Sequence, residues 1–389
     1  MDAATRPGAA APSYVRVATS RARDPVDAIE EASRGIDRSS TCFVLAFVSG
    51  AHDMGIVART LRDQLNGIPV FGCSTAGQIT DVGYDRDAVL LVIFPKQHFR
   101  CSSLLIAPLV PLSAAQIATD AQRQARNFRP TAGWSRLGLI FSDGLSRQED
   151  LLASILETVL DDMMIFGGSA GDNLRFEETF VLHEGEAHQN AAVLLYLETD
   201  LPFASISIDH FLPSGSQIVI TDADPEARKV FEINGAPAAQ EYARLVGCAV
   251  GDLSPEIFAE NPLLVNFSDT HYVRGISDAD DTGALSFLAA IDDGLIMTLG
   301  KGQEILQTLN NGLTLHDPQG APPDFILGFD CILRKLEIEQ KNIADEVSEI
   351  FCRSRVFGFN TYGEQHCGVH MNQTFVGIAF FPPRTRTMT

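Results

Sequence analysis

A short pattern recurs three times along this chain and limits what it can fold into more than any bulk property does. Phe71-Gly72-Cys73-Ser74-Thr75-Ala76-Gly77 is the first copy and Ile165-Phe166-Gly167-Gly168-Ser169-Ala170-Gly171 the second. Val356-Phe357-Gly358-Phe359-Asn360-Thr361-Tyr362-Gly363 is a looser third. Each has a β-type apolar residue, Phe-Gly, a small polar residue and a second Gly within six positions of the Phe. Such a string reads as a strand that stops at a glycine turn.

The flanks repeat as well. Apolar runs at 43–48, 137–141 and 325–330 precede the three copies, each followed by a helix-like segment: 53–66, 148–160 and about 336–351. Another apolar run follows each copy, at 88–94, 191–197 and 374–380. The predicted unit is strand, helix, strand ending in Phe-Gly, loop, strand, present three times by duplication. The expected fold class is α/β (α+β mixed), with mixed β-sheets covered by helices. Asp24-Pro25 predicts an earlier helix, through a capping acceptor followed by Pro at the first helical position. The acidic, Pro-containing break Asp222-Ala223-Asp224-Pro225 interrupts the pattern, and Val230-Phe231-Glu232-Ile233-Asn234-Gly235 reads as the start of a new domain. Residues 1–12 read as a disordered start and 384–389 as a tail.

A net charge of −21 excludes a phosphate-binding footprint, so nucleic acid is not an expected partner, and it disfavours an anionic membrane surface. No apolar run reaches the ~20 residues that span a bilayer. Residues 1–12 lack the apolar core of a signal peptide, and seven cysteines without CxxC spacing fit reduced thiols. A cytoplasmic protein is expected.

Two sets of residues could carry chemistry. Gly167-Gly168-Ser169-Ala170-Gly171 satisfies G-x-S-x-G, the nucleophile elbow of serine hydrolases, which requires a helix directly afterwards. Here a strand-like run follows, and the sibling copies vary the motif, so a structural Ser-Gly turn outweighs a nucleophilic Ser169. Nine histidines are the other set, none in HExxH spacing. His183 and His188 bracket a predicted hairpin, His210 ends an apolar strand, and His366 and His370 lie in a loop or strand entry. For each taken singly, a hydrogen-bonded or solvated role outweighs ligation. A His at a strand end among apolar residues is nonetheless placed to ligate a planar cofactor.

The two glycine turns, together with Glu232-Ile233-Asn234-Gly235-Ala236-Pro237-Ala238, Tyr242, Gly358 to Glu364 and His370-Met371-Asn372-Gln373-Thr374, resemble FIST-domain proteins over nearly the whole chain, which implies an N-terminal region over 13–235 and a C-terminal one over 236–383. FIST domains are regarded as sensory ligand-binding modules of bacterial signalling, so the resemblance implies a sensor and not an enzyme. Through His188 to Leu195, His210 to Pro213 and Gly368 to Thr374 the chain is most similar to the haem-binding, nitric-oxide-sensing branch. That branch implies haem b, with His188, His210 and His370 as cofactor-binding residues and His188 or His210 as the iron ligand. It further implies nitric oxide as gas ligand and contact with a histidine kinase or a cyclic-di-GMP-metabolising enzyme, and it leaves homo-oligomerisation open. The alternatives are a module binding a small polar ligand such as an amino acid at the Ser74, Ser169 and Asn360 turns, and a serine hydrolase using Ser169.

Overall fold

In a computed structural model the structure describes residues 13–267 and 270–383; the start at 1–12 and the tail at 384–389 lie outside them. The first unit comprises β1 (Arg16–Ser20), α1 (Pro25–Ser33), β2 (Thr41–Ser49), α2 (Met54–Gln64), β3 (Val70–Thr75), β4 (Gln78–Thr80), β5 (Gly83–Asp85) and β6 (Val89–Pro95). The second has the same order: β7 (Phe99–Ile106), α3 (Ala114–Asn127), β8 (Ser135–Ser142), α4 (Glu149–Val159), β9 (Ile165–Ser169), β10 (Val181–His183), β11 (Glu186–His188) and β12 (Ala192–Thr199).

The third begins with β13 (Phe203–Ile208) and is then interrupted. Strands β14 (Phe211–Asp224), β15 (Lys229–Ile233) and β16 (Ala236–Pro237) come first, followed by α5 (Ala238–Val246) and α6 (Pro255–Glu260). Strands β17 (Leu263–Phe267), β18 (Thr270–Arg274), β19 (Ile276–Ala279), β20 (Leu285–Phe287) and β21 (Ile296–Gly302) close the insertion. The unit resumes with α7 (Ile305–Leu313), β22 (Phe325–Cys331), α8 (Ile332–Gln340), α9 (Ala344–Arg353), β23 (Val356–Thr361), β24 (Glu364–His366), β25 (Val369–Met371) and β26 (Phe375–Phe380). The expected mixed α/β class is what the chain adopts.

Local chemistry explains the helix ends. Asp24 caps α1 by accepting from the backbone N–H groups of Val26 and Asp27, with Pro25 inside the first turn, and Asp53 caps α2 through Ile56 N–H. The single helix expected over 336–351 is two. Asn342 adopts a left-handed conformation, and its amide bonds the Gln340 carbonyl, which breaks the run between α8 and α9.

Each unit forms a sheet but lends its hairpin to a neighbour. The sheet orders are β1-β6-β2-β3-β10-β11, β7-β12-β8-β9-β24-β25 and β13-β26-β22-β23-β4-β5. The hairpin of the second unit thus completes the first sheet, that of the third completes the second, and that of the first completes the third. The insertion makes a fourth sheet, β18-β17-β21-β14-β15-β20-β19, with β16 on β15.

The inner faces of the three related sheets share one core. Phe43, Leu45 and Phe47, then Leu137, Leu139 and Phe141, then Phe325, Leu327 and Phe329 occupy matching positions on β2, β8 and β22. The rings of Phe47, Phe141 and Phe359 close this core, with Phe47 centred 5.7 Å from Phe141 and 4.7 Å from Phe359. Alternate residues face outward under helices: Val44, Ala46 and Val48 with Ile29, Val57 and Leu61; Ile140 with Ile117 and Leu152; Ile326 with Leu309 and Val347. Strands buried on both faces need continuous apolar sequence, which is why 43–48, 137–141 and 325–330 read as unbroken runs.

The Phe-Gly glycine has the same task in all three units. Gly72 pairs with Ala46, Gly167 with Ile140 and Gly358 with Gly328 across the parallel strands. A Cβ there would lie 2.0 Å, 1.8 Å and 1.8 Å from the carbonyl oxygens of Ala46, Ile140 and Gly328. Gly167→Ala must therefore displace a central strand pair, and it should cost about 3 kcal/mol or more in chemical denaturation. A Gly67→Ala control, at a position whose added Cβ meets nothing within 4 Å but whose φ is +85°, should cost about 1 kcal/mol.

Candidate functional site

The glycine turns meet at the centre. Ala76 N–H donates to the Asn360 carbonyl, Tyr362 N–H to Ser169 and Gly171 N–H to Ser74, at 3.1, 3.2 and 3.1 Å. Each unit thus bonds the next in a closed ring. Ser74 Oγ accepts from Phe180 N–H, Ser169 Oγ from the Gln365 amide, and the Asn360 amide donates towards Asp330. The Ser74 and Ser169 hydroxyls are buried and join one unit to another, whereas the Asn360 amide bonds within its own unit and its Oδ1 is buried without a partner among the described residues. Ser169 is 1% exposed, and its hydroxyl partners among the described residues are Gln365 and Ser142, with no histidine or carboxylate.

Beside the ring sits Glu364, fully buried on β24. Thr361 Oγ1 donates to it, as do the N–H and hydroxyl of Thr374. The first unit has Gln78 in the matching place, bonded to Thr75 and to Ala88 N–H at the same sequence spacings. A neutral amide thus stands where the third unit has a carboxyl, and burial pushes the Glu364 pKa up to about 8. A folded pKa raised above the ordinary carboxyl value gives stability that is complete below about pH 4.5 and is lost as pH rises through 8. Glu364→Gln should remove that loss. Urea denaturation between pH 5 and 9 should show the wild type falling by on the order of 3 kcal/mol and the variant staying nearly flat.

The expected histidines are dispersed. His188 lies on β11 at the edge of the first sheet, and its Nε2 is buried without a partner among the described residues. His210 is fully buried between β13 and β14. Its Nε2 bonds Glu337 at 2.8 Å, its Nδ1 faces Arg334 at 3.5 Å, and burial holds its pKa below the usual value. His370 lies on β25 at the edge of the second sheet. No hydrogen bond, ion pair or ring contact among the described residues joins any two of them. As a haem ligand His210 does not fit, because both ring nitrogens are taken. His188 retains one donor that fits.

A cavity of about 500 Å³ opens instead between the second unit and the inserted sheet, lined by none of these histidines. Gly144, Leu145 and Arg147 from the loop after β8 form one wall with Phe176, and 227–228, 277–278 and 286–288 form the other. Asp278 and Arg147 are exposed at it, among the apolar groups of Leu145, Phe176, Phe287 and Leu288. Twelve non-glycine residues among those described have left-handed backbones, and three of them, Arg147, Phe176 and Arg228, line this one cavity. Such conformations cost energy and persist where the surroundings impose them, most often at functional sites.

Those surroundings are visible. Asp172 accepts from the N–H groups of Phe176, Glu177 and Glu178, and from the Tyr362 hydroxyl. The Tyr362 oxygen in turn accepts from Leu174 N–H at 2.8 Å, and its ring lies 4.8 Å from that of Phe176. The loop that presents Phe176 is thereby tied to the central ring. Arg228 is 4% exposed and held by Glu149 at 2.6 Å, Asp150 at 3.1 Å and the Leu288 carbonyl. Sequence reasoning missed Arg147, Phe176, Arg228 and Asp278. Only the residues after the second glycine turn carried a signal, since Asp172-Asn173 favours a local bend.

Family comparison fits this architecture: residues 42–236 match the FIST N domain and 238–367 the FIST C domain. The chain belongs to the FIST-domain family. As such it is a sensory module. The third sheet of this FIST protein draws β4, β5 and β13 from the first matched stretch and β22, β23 and β26 from beyond residue 236. An uncharacterized protein of Methanocaldococcus jannaschii is 23% identical over 357 residues, covering 88% of this chain. The match spans 64% of that protein's own length. No helix among the described residues is long and apolar enough to cross a membrane.

Proposed function

We propose that this FIST protein senses a small polar molecule, an amino acid being the simplest fit, in the cavity between the second unit and the inserted sheet. The observation that carries the reading is the convergence of three left-handed, non-glycine residues on that one cavity. The volume suits a small ligand. Arg147 offers a guanidinium for a carboxylate, Asp278 a carboxylate for an ammonium, and Leu145, Phe176 and Leu288 an apolar lining. The ligand is bound without being transformed, and the signal passes by contact to a histidine kinase or a cyclic-di-GMP-metabolising enzyme.

Screening the twenty amino acids by thermal shift and titrating the hits calorimetrically tests this. Arg147→Ala should weaken binding about tenfold or more with melting temperature unchanged, since charge-assisted bonds contribute about 1.5–3 kcal/mol. Binding of none, or affinity indifferent to Arg147 and Asp278, overturns the reading.

Haem ligated by His188 is a second reading, favoured by its buried, partnerless Nε2. Bound haem would supply the iron that takes nitric oxide. Haemin added to the protein should give a Soret band that His188→Ala abolishes and nitric oxide shifts; a colourless protein removes this reading.

A further inference from the structure

Between α4, β25 and the inserted sheet lies a buried polar cluster that the proposed ligand cavity does not use. Glu149 and Asp150 occupy the first turn of α4, and His370 the middle of β25. One ligand atom from each lies within 4.8 Å of those from the other two. His370 is 1% exposed, and neither ring nitrogen has a hydrogen-bond partner among the described residues. A buried imidazole with both nitrogens unpaired forgoes two hydrogen bonds, a loss that calls for a missing occupant.

The two carboxylates already converge on one cationic point. Arg228 Nη2 sits 2.6 Å from Glu149 Oε2 and 3.1 Å from Asp150 Oδ2. We infer that Glu149, Asp150 and His370 form a divalent-metal site in which the cation takes the place of the Arg228 guanidinium. One nitrogen and two carboxylate donors without a thiol select ions of the Mn²⁺ to Zn²⁺ series over Cu(I). With Arg228 gone, the two carboxylates face the dication together with Arg274, whose Nη2 lies 3.8 Å from Asp150 Oδ1, and Arg228 has room to leave because it also lines the cavity. Metal–ligand distances of about 2.0–2.2 Å require the donors to close in slightly, which rotation of the two carboxylate side chains supplies. Arg274 stays in place, since its Nη1 donates to the His370 carbonyl at 2.9 Å. Three protein ligands leave a coordination position open. The site stands whether or not an amino acid binds in the cavity.

Co²⁺ is the probe, added to the full, chelator-treated chain and followed by its visible absorption. One equivalent should bind, and His370→Ala or Glu149→Gln should weaken binding at least tenfold. Arg228→Met removes the competing cation and should tighten binding about tenfold, a response that adventitious surface histidines cannot give. Circular dichroism checks each variant, and His370→Gln serves if His370→Ala fails to fold. Failure of the wild type to take up Co²⁺, or uptake unchanged in the His370 variants, overturns the assignment.

Discussion

The structure depends on how closely parallel strands pass at three glycines. With Gly72, Gly167 and Gly358 opposite Ala46, Ile140 and Gly328, the carbonyl of one strand occupies the volume that a Cβ would fill in the other. That proximity brings the following residues together as a ring in which backbone groups satisfy one another around an axis. Buried peptide groups must be paired, and here three loops pair each other instead of each pairing itself. Around the ring, Glu364 and Gln78 repeat one polar contact in two units, one as an acid and one as an amide.

Such a centre is a poor place for a ligand and a good foundation for one. The turns whose serines invite a catalytic or binding reading are filled by their neighbours. The next segment of chain, at 172–176, is what they support. Tyr362 reaches from the third unit to hold Asp172, Asp172 holds the backbone of 176–178, and Phe176 emerges at the cavity in a conformation it would not choose alone. The opposite wall is set by Arg228 on the inserted sheet, fastened to the first turn of α4. Two anchors on different parts of the chain thus define one opening.

Much of this was legible in the sequence. The threefold recurrence, the order of strand and helix, the Asp24-Pro25 helix start and the 183–188 hairpin all rest on local patterns, and local patterns survive folding. What stayed hidden depends on partners distant in sequence. Nothing around Gln78 or Glu364 announces that these hairpins cross to other sheets, because a strand's alternation does not name its neighbour. The insertion masked β13 as part of the third unit by placing 96 residues, 209–304, between it and α7. Asn342 split a helix whose periodicity continued through it. The cavity was invisible because Arg147 and Arg228 become neighbours only after folding, while His210 drew notice through its apolar flanks and proved to be held by Glu337 and Arg334.

The exchange of hairpins has a consequence for synthesis. The second sheet lacks its edge until β24 and β25 are made, and β4 and β5 wait for a strand nearly three hundred residues downstream. No unit can complete its sheet from its own residues: the first is completed by β10 and β11 of the second unit, the other two only once the last strands are made. Until then each nascent sheet presents an open edge of the kind that invites mispairing. The charge of −21 serves the growing chain here, since mutual repulsion keeps unfinished copies apart.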